Sequence, residues 1–223
     1  MSMDPEALLF DMDGVLADVS RSYRQAVQAT AKSYGVTVDG AMVDMAKRAG
    51  NANDDWQLTQ RLIAEHGGLQ HPLDEVTARF EALYQGSGDQ PGLRQEETLI
   101  PSRSLLSELA ARLPLAIVTG RPRADAERFL EEQQLQETFR VVICREDGPL
   151  KPDPTVVRLA CEKLGVSQAW MIGDTPDDVR AAREADVVPM GILAPGDTSA
   201  DALWAAGASR VLTNLDELKE LLP

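Results

Sequence analysis

The sequence predicts an α/β fold: a parallel sheet covered by helices, interrupted by an inserted helical domain. Three observations predict it. From residue 100 to the end, short apolar strands alternate with helix-length segments, the pattern of a parallel sheet buried on both faces. A strand-like run, Leu8-Leu9-Phe10, stands apart near the N-terminus and needs such a sheet to join. Between the two, residues 17–98 read as helices without a convincing strand.

The first strand ends abruptly in Asp11-Met12-Asp13-Gly14, two carboxylates at its tip and a glycine that lets the backbone turn away. Helical spacing then runs over 20–34, closed by Gly35, and over 39–48, 54–66 and 73–85. Gly50-Asn51, Gly67-Gly68 and His71-Pro72 punctuate these segments. Four successive helices are expected to pack on each other as a compact unit. Gly86-Ser87-Gly88-Asp89-Gln90-Pro91-Gly92 reads as a flexible connection leading out of it.

The alternating region predicts helix 102–113, strand 115–118, helix 122–134, strand 141–143, helix 155–164, strand 170–172 and helix 176–185. Strand 187–192, helix 201–206, strand 210–212 and a final helix 215–222 complete it. The expected division is a Rossmann-like core of residues 1–16 and 99–223, with 17–98 forming a helical cap domain and its linker.

With 223 residues the chain buries enough surface to need no covalent staples. Cys144 and Cys161 match no metal spacing and are expected as reduced, buried thiols. Trp56, Trp170 and Trp204 are expected as packing residues, and His66 and His71 as loop residues. A formal charge of -14 argues against a broad basic face for nucleic acid or an anionic membrane. No apolar run approaches the roughly 18 to 20 residues of a membrane span. Acidic Asp4 and Glu6 stand where a signal peptide would be basic, so the expected location is cytoplasmic. Monomer and homodimer both remain open.

Four strand ends carry the chemistry. Asp11 and Asp13 are the first. Thr119-Gly120-Arg121 follows the apolar run 115–118 and precedes a helix, a place where backbone N–H groups and the helix dipole attract a phosphate. Lys151-Pro152-Asp153-Pro154 presents a lysine from a stiff backbone. Gly173-Asp174-Thr175-Pro176-Asp177-Asp178 adds further carboxylates. Asp11, Asp13, Asp174 and Asp178 around one lysine are too negative to accept a phosphate dianion unaided. Mg²⁺, which favours carboxylate and water oxygens and bridges them to phosphate, resolves the imbalance. Asp11 is then placed to attack phosphorus, and Asp13 to protonate the leaving oxygen and later deprotonate water. The implied partner is a small phosphorylated metabolite.

Taken in order, these four motifs resemble the haloacid dehalogenase superfamily, in the branch whose helical cap is inserted after the first strand and which includes phosphoglycolate phosphatases. The resemblance implies Asp11 as nucleophile and Asp13 as general acid/base. It implies a metal held by Asp11, the backbone carbonyl of Asp13 and Asp174, with Asp178 supporting the metal through water or Lys151. Thr119, Gly120 and Lys151 resemble the phosphate holders. The second aspartate, Asp13, is absent from true dehalogenases, so its presence favours phosphoryl chemistry over carbon–halogen cleavage. Phosphoglycolate, histidinol phosphate and sugar phosphates are the expected substrates. A sugar phosphomutase and a non-enzymatic ligand-binding module are the rival readings.

Within the inserted helices, Arg48-Ala49-Gly50-Asn51-Ala52-Asn53 joins two helices. Relatives use such a cap loop to choose substrates, which makes Arg48, Gly50, Asn51 and Asn53 candidate selectivity residues. The alternative is a solvated turn whose Gly and Asn serve the backbone. Arg21 and Arg24 are expected on a solvated helix face.

Overall fold

The structure, a computed structural model, describes residues 4–88 and 90–222. The chain divides into two compact units, one made of Met1–Ala17 and Leu99–Pro223, the other of Asp18–Thr98. It opens with β1 (Ala7–Phe10) and the short β2 (Ala17–Asp18). The second unit contains α1 (Tyr23–Ser33), α2 (Gly40–Ala49), α3 (Asp55–Glu65) and α4 (Leu73–Gln85), then β3 (Gly86–Ser87) and β4 (Gln90–Pro91). A 3-10 turn at Leu93–Glu96 leads to β5 (Thr98–Leu99), which pairs with β2. There follow α5 (Arg103–Arg112), β6 (Leu115–Val118), α6 (Arg123–Glu132), β7 (Val141–Ile143) and α7 (Thr155–Leu164). Then come β8 (Ala169–Gly173), α8 (Pro176–Glu184), β9 (Val188–Ile192), α9 (Asp201–Ala206) and β10 (Arg210–Leu212). A 3-10 turn at Leu215–Glu217 and α10 (Leu218–Leu221) close the chain.

In the first unit, six strands form a parallel sheet in the order β10-β9-β8-β1-β6-β7. The isolated N-terminal run thus lies at the centre, with Phe10 between Ile117 of β6 and Ile172 of β8. All four β1 residues are fully buried. The pleat explains why: Ala7 and Leu9 join a cluster with Val118, Ile143, Val157 and Met171, while Leu8 and Phe10 point to the opposite face. There Phe10 meets Phe139 edge-on at 6.2 Å. Each such side chain contributes about 1.5–3 kcal/mol, so Leu9→Ala alone should cost about 2–5 kcal/mol. The chain leaves β1 for β6 on one side and returns to β8 on the other. This creates a switch point, and the crevice at the carboxyl ends of such strands is where open α/β sheets bind ligands.

In the second unit, α1 and α4 meet through Tyr23, Phe80 and Tyr84, with ring centroids 4.3 Å apart for Tyr23–Tyr84 and 5.8 Å for Tyr23–Phe80. Glu97 accepts from Ser22 Oγ at 2.8 Å and from Tyr84 OH at 3.0 Å, tying the unit's two ends together. Asp39 caps α2, and Asp54 caps α3 by accepting from the Trp56 and Gln57 N–H groups.

Some expectations need correction. The segment 86–92 is not a slack connection, because β3 and β4 pair as an antiparallel hairpin. A Cβ on Gly86 would lie 2.5 Å from Gly92 N, and one on Gly92 would lie 2.3 Å from Tyr84 O. These glycines therefore permit close backbone approach. Asp89 falls outside the described residues. The final helix is shorter than expected, being a 3-10 turn followed by α10. Trp204 is 50% exposed, and Cys161 is half-buried at the margin of the cluster formed by Leu9, Val118 and Met171. Among the described residues, no helix is long and apolar enough to cross a membrane.

Candidate active site

Asp11, Thr119 and Asp174 follow directly on the carboxyl ends of core strands, each set there by a local rule. At the end of β1, Asp11 N still donates to Ile172 O at 2.9 Å, so the sheet ladder itself orients Asp11. The chain then folds back, with the N–H groups of Leu16 and Ala17 both donating to Met12 O at 2.8 Å. Gly14 adopts φ +77°, and a Cβ there would sit 2.2 Å from Asp174 Oδ2. Both its backbone and its surroundings require glycine.

At the end of β6, Thr119 is buried and bonds Ile143 O through its N–H at 2.9 Å, while its hydroxyl accepts from Arg121 N at 3.2 Å. Half-buried Gly120 follows. The helix after this turn, α6, begins later than the motif implied, at Arg123. Its first N–H already donates to both oxygens of Glu146 at 3.0 Å. Thr119 and Gly120 thus belong to the turn, whereas the start of the helix is engaged by a carboxylate.

At the end of β8, Thr175 and Asp178 form a reciprocal capping box with Pro176 at the first helical position of α8. Asp178 Oδ2 accepts from Thr175 N at 3.0 Å and Thr175 Oγ1 at 2.6 Å, leaving Oδ1 for Lys151 at 2.5 Å. Gly173 makes room, because a Cβ there would lie 2.2 Å from Asp178 Cβ.

Lys151 gathers these strand ends. Its ammonium donates to Asp11 Oδ1 at 2.7 Å and to Val118 O at 2.8 Å, and it forms an ion pair with Asp178 Oδ1 at 2.5 Å. Lys151, Asp11 and Asp178 are all nearly inaccessible. Burial alone would weaken the Lys151 ammonium, but the charges of Asp11 and Asp178 outweigh it and hold the group above its usual range. Burial pushes the Asp11 carboxyl up to about 7; Lys151 opposes that rise, while Asp178 and Asp13 add to it.

Asp11, Asp174 and Asp178 each offer an oxygen, all within 4.8 Å of one another. A set of hard carboxylate donors at this spacing fits a hard divalent cation and is unsuited to a soft metal. The Asp13 carboxylate is held elsewhere, by Arg121, whose Nε donates to Asp13 Oδ1 at 2.6 Å. The acidic cluster therefore faces two cations, Lys151 and Arg121, where the sequence predicts one lysine. The only sequence signal for Arg121 was its place directly after Thr119-Gly120, which does not reveal where a long side chain folds.

The candidate selectivity residues belong to the second unit. Arg48 lies in the last turn of α2 and is exposed. Gly50 and Asn51 take φ of +86° and +54°, conformations that favour these two residue types. Asn51 O accepts from Arg61 Nη1 at 3.4 Å, and half-buried Asn53 precedes the cap Asp54. Arg21 lies in the turn before α1 and pairs with Glu96, while Arg24 on α1 pairs with Asp44, so these positions are ion-paired as well as solvated. His71 stacks on Tyr34 at 4.2 Å.

Comparison with known proteins adds the family. The chain is 46% identical over its whole length to an imidazoleglycerol-phosphate dehydratase of Phytophthora nicotianae, but spans only 54% of that protein. It is 30% identical to the phosphoglycolate phosphatase of Rhodospirillum rubrum, with 98% of this chain and 91% of that protein aligned. The fold is also that of a hydrolase from Pseudomonas syringae, at TM-score 0.77 and 22% identity, covering 98% of this chain and 100% of that one. Residues 5–186 match the family model for haloacid dehalogenase-like hydrolases. With most of its length inside that match, the chain belongs to the haloacid dehalogenase-like hydrolase family.

Proposed function

We infer that the protein is a Mg²⁺-dependent phosphatase of a small phosphorylated metabolite, working through an aspartyl-phosphate. The observation that carries this reading is Asp11: a carboxylate 4% exposed at a strand tip, bonded to Lys151 and lying among Asp174 and Asp178. Burial strips the carboxylate of water, and a fixed lysine orients it, which is what a nucleophilic carboxylate requires.

In the proposed reaction a carboxylate oxygen of Asp11 attacks phosphorus as the bond to the leaving oxygen breaks, and Asp13 gives that oxygen a proton. Asp13 then takes a proton from water, whose oxygen attacks phosphorus. The bond to Asp11 breaks and inorganic phosphate leaves. Lys151, Thr119 and Gly120 orient the phosphoryl oxygens. Asp11, Asp174 and the backbone carbonyl of Asp13 would hold the cation, supported by Asp178. When bound, Mg²⁺ offsets the negative charge shared by the carboxylates and the phosphate.

The helical unit is assigned the role of a cap that selects substrates, with Arg48, Gly50, Asn51 and Asn53 as the selecting loop. A relative named for phosphoglycolate and another named for phosphorylated carbohydrates support a substrate panel of phosphoglycolate and sugar phosphates, to which histidinol phosphate is added. The test is free-phosphate release from that panel with Mg²⁺ and with a chelator, in wild type and Asp11→Asn. Selective release that needs both metal and Asp11 supports the reading. Labelling of Asp11 with little free phosphate, relieved by a bisphosphorylated sugar, would indicate a mutase instead.

A further inference from the structure

Asp13 and Arg121 come from different strand ends, yet Arg121 Nε donates to Asp13 Oδ1 at 2.6 Å. Their exposure is unequal: the Arg121 side chain is 1% accessible and that of Asp13 is 28%. The guanidinium also lies over the Phe129 ring, 5.4 Å from its centroid. The Arg121 backbone is held at both ends, its N–H on Thr119 Oγ1 at 3.2 Å and its carbonyl accepting from Arg145 N at 2.9 Å. A cation so enclosed does not meet a substrate phosphate itself; what it presents to the site is an oriented carboxylate.

We propose that Arg121 is a positioning residue for proton transfer. It binds one oxygen of Asp13 and thereby fixes the other, Oδ2, as the atom that passes a proton to the leaving alcohol and takes one from water. This rests on the phosphatase reading above. The physical need is geometric: a general acid must stay within hydrogen-bond reach of the leaving oxygen, whereas an untethered Asp samples several rotamers. A planar guanidinium over an aromatic ring is a stiff tether, and lysine retains its charge but not its shape.

The test compares kcat/KM for an alkyl phosphate with that for p-nitrophenyl phosphate, whose leaving group departs without needing a proton. This ratio covers only the steps through departure of the leaving group, where the acid acts. Arg121→Met should lose about tenfold or more on the alkyl ester and less than about threefold on the aryl ester. Arg121→Lys should recover part of the loss, and Asp13→Asn/Arg121→Met should be no worse than Asp13→Asn alone. Equal losses on both esters, or a double variant that multiplies the single losses, overturn the positioning role. If Arg121→Met does not fold, Arg121→Lys and the double variant, which deletes both charges, decide by the same criteria. Wild-type protein inactive on both esters overturns the phosphatase reading and this inference with it. An alkyl-selective loss in Asp13→Asn that is absent from the Arg121 variants overturns this inference alone.

Discussion

The carboxyl edge of the sheet and the loop between α2 and α3 are both irregular, polar stretches, yet different interactions hold them. At the sheet edge, side chains far apart in sequence hold one another: Lys151 binds Asp11, 140 positions away, and Arg121 binds Asp13, 108 positions away. In the loop, side chains hold the nearby backbone. Lys47 donates to Ala52 O at 2.8 Å and pairs with Asp55 at 2.9 Å, and Asp54 caps the helix that follows it. A substitution at the sheet edge should therefore alter chemistry and long-range stability together. One in the loop should stay local.

The most severe test of that contrast is Asp11→Asn. It should lower phosphate release by about 10³-fold or more while circular dichroism stays native, because the amide keeps the shape and loses the nucleophile. A modest loss would detach the buried carboxylate from the chemistry. Lys151→Met comes next: it strands Asp11 and Asp178 without their cation and should cost about 3–5 kcal/mol in urea unfolding. A cost below about 1 kcal/mol would mean that the edge is not held by this lysine.

Gly14→Ala adds a Cβ where Asp174 Oδ2 lies, at a positive φ, and should raise the Mg²⁺ concentration needed for half-maximal activity about 10–100-fold in a metal titration. In the loop, Arg48→Ala and Asn53→Ala should raise KM for the best substrate about two- to tenfold with kcat and melting temperature nearly unchanged. No change in KM would leave the loop with a backbone role alone.

The smallest effect concerns Cys144, whose thiol burial pushes up to about 11 from an ordinary 9, against a smaller opposing pull from Arg123. Between those values the unfolded chain loses this proton and the folded chain keeps it. The contribution is thus intact below pH 9 and declines as pH rises toward 11. Urea unfolding at pH 8 and 10.5 should show a decline that is reduced in Cys144→Ala, and native Cys144 should resist thiol reagents at pH 8.

The legible part of the fold was the part written in local pattern. Leu8-Leu9-Phe10 ending in Asp11 could be placed at a strand tip because apolar runs and their breaks report burial directly. Thr175-Pro176-Asp177-Asp178 likewise carries its own helix start. The 86–92 segment misled because glycine serves both slack and close approach, and only the packed hairpin tells which. Trp204 misled because an aromatic residue on a short helix carries no mark of which side will be covered.

By itself the sequence determined the parallel α/β architecture, the helical insertion and the order of the four strand-end motifs. Hydrophobic period, caps and breakers act within a few residues and survive reading in one dimension. Only the tertiary structure decided how the charges pair: Lys151 between Asp11 and Asp178, Arg121 on Asp13, and Glu146 on the first N–H of α6. Those choices depend on which strands become neighbours and in what register, and on where long flexible side chains find a buried counter-charge. No local pattern encodes that outcome, because a buried ion pair is settled by desolvation and distance across the assembled sheet.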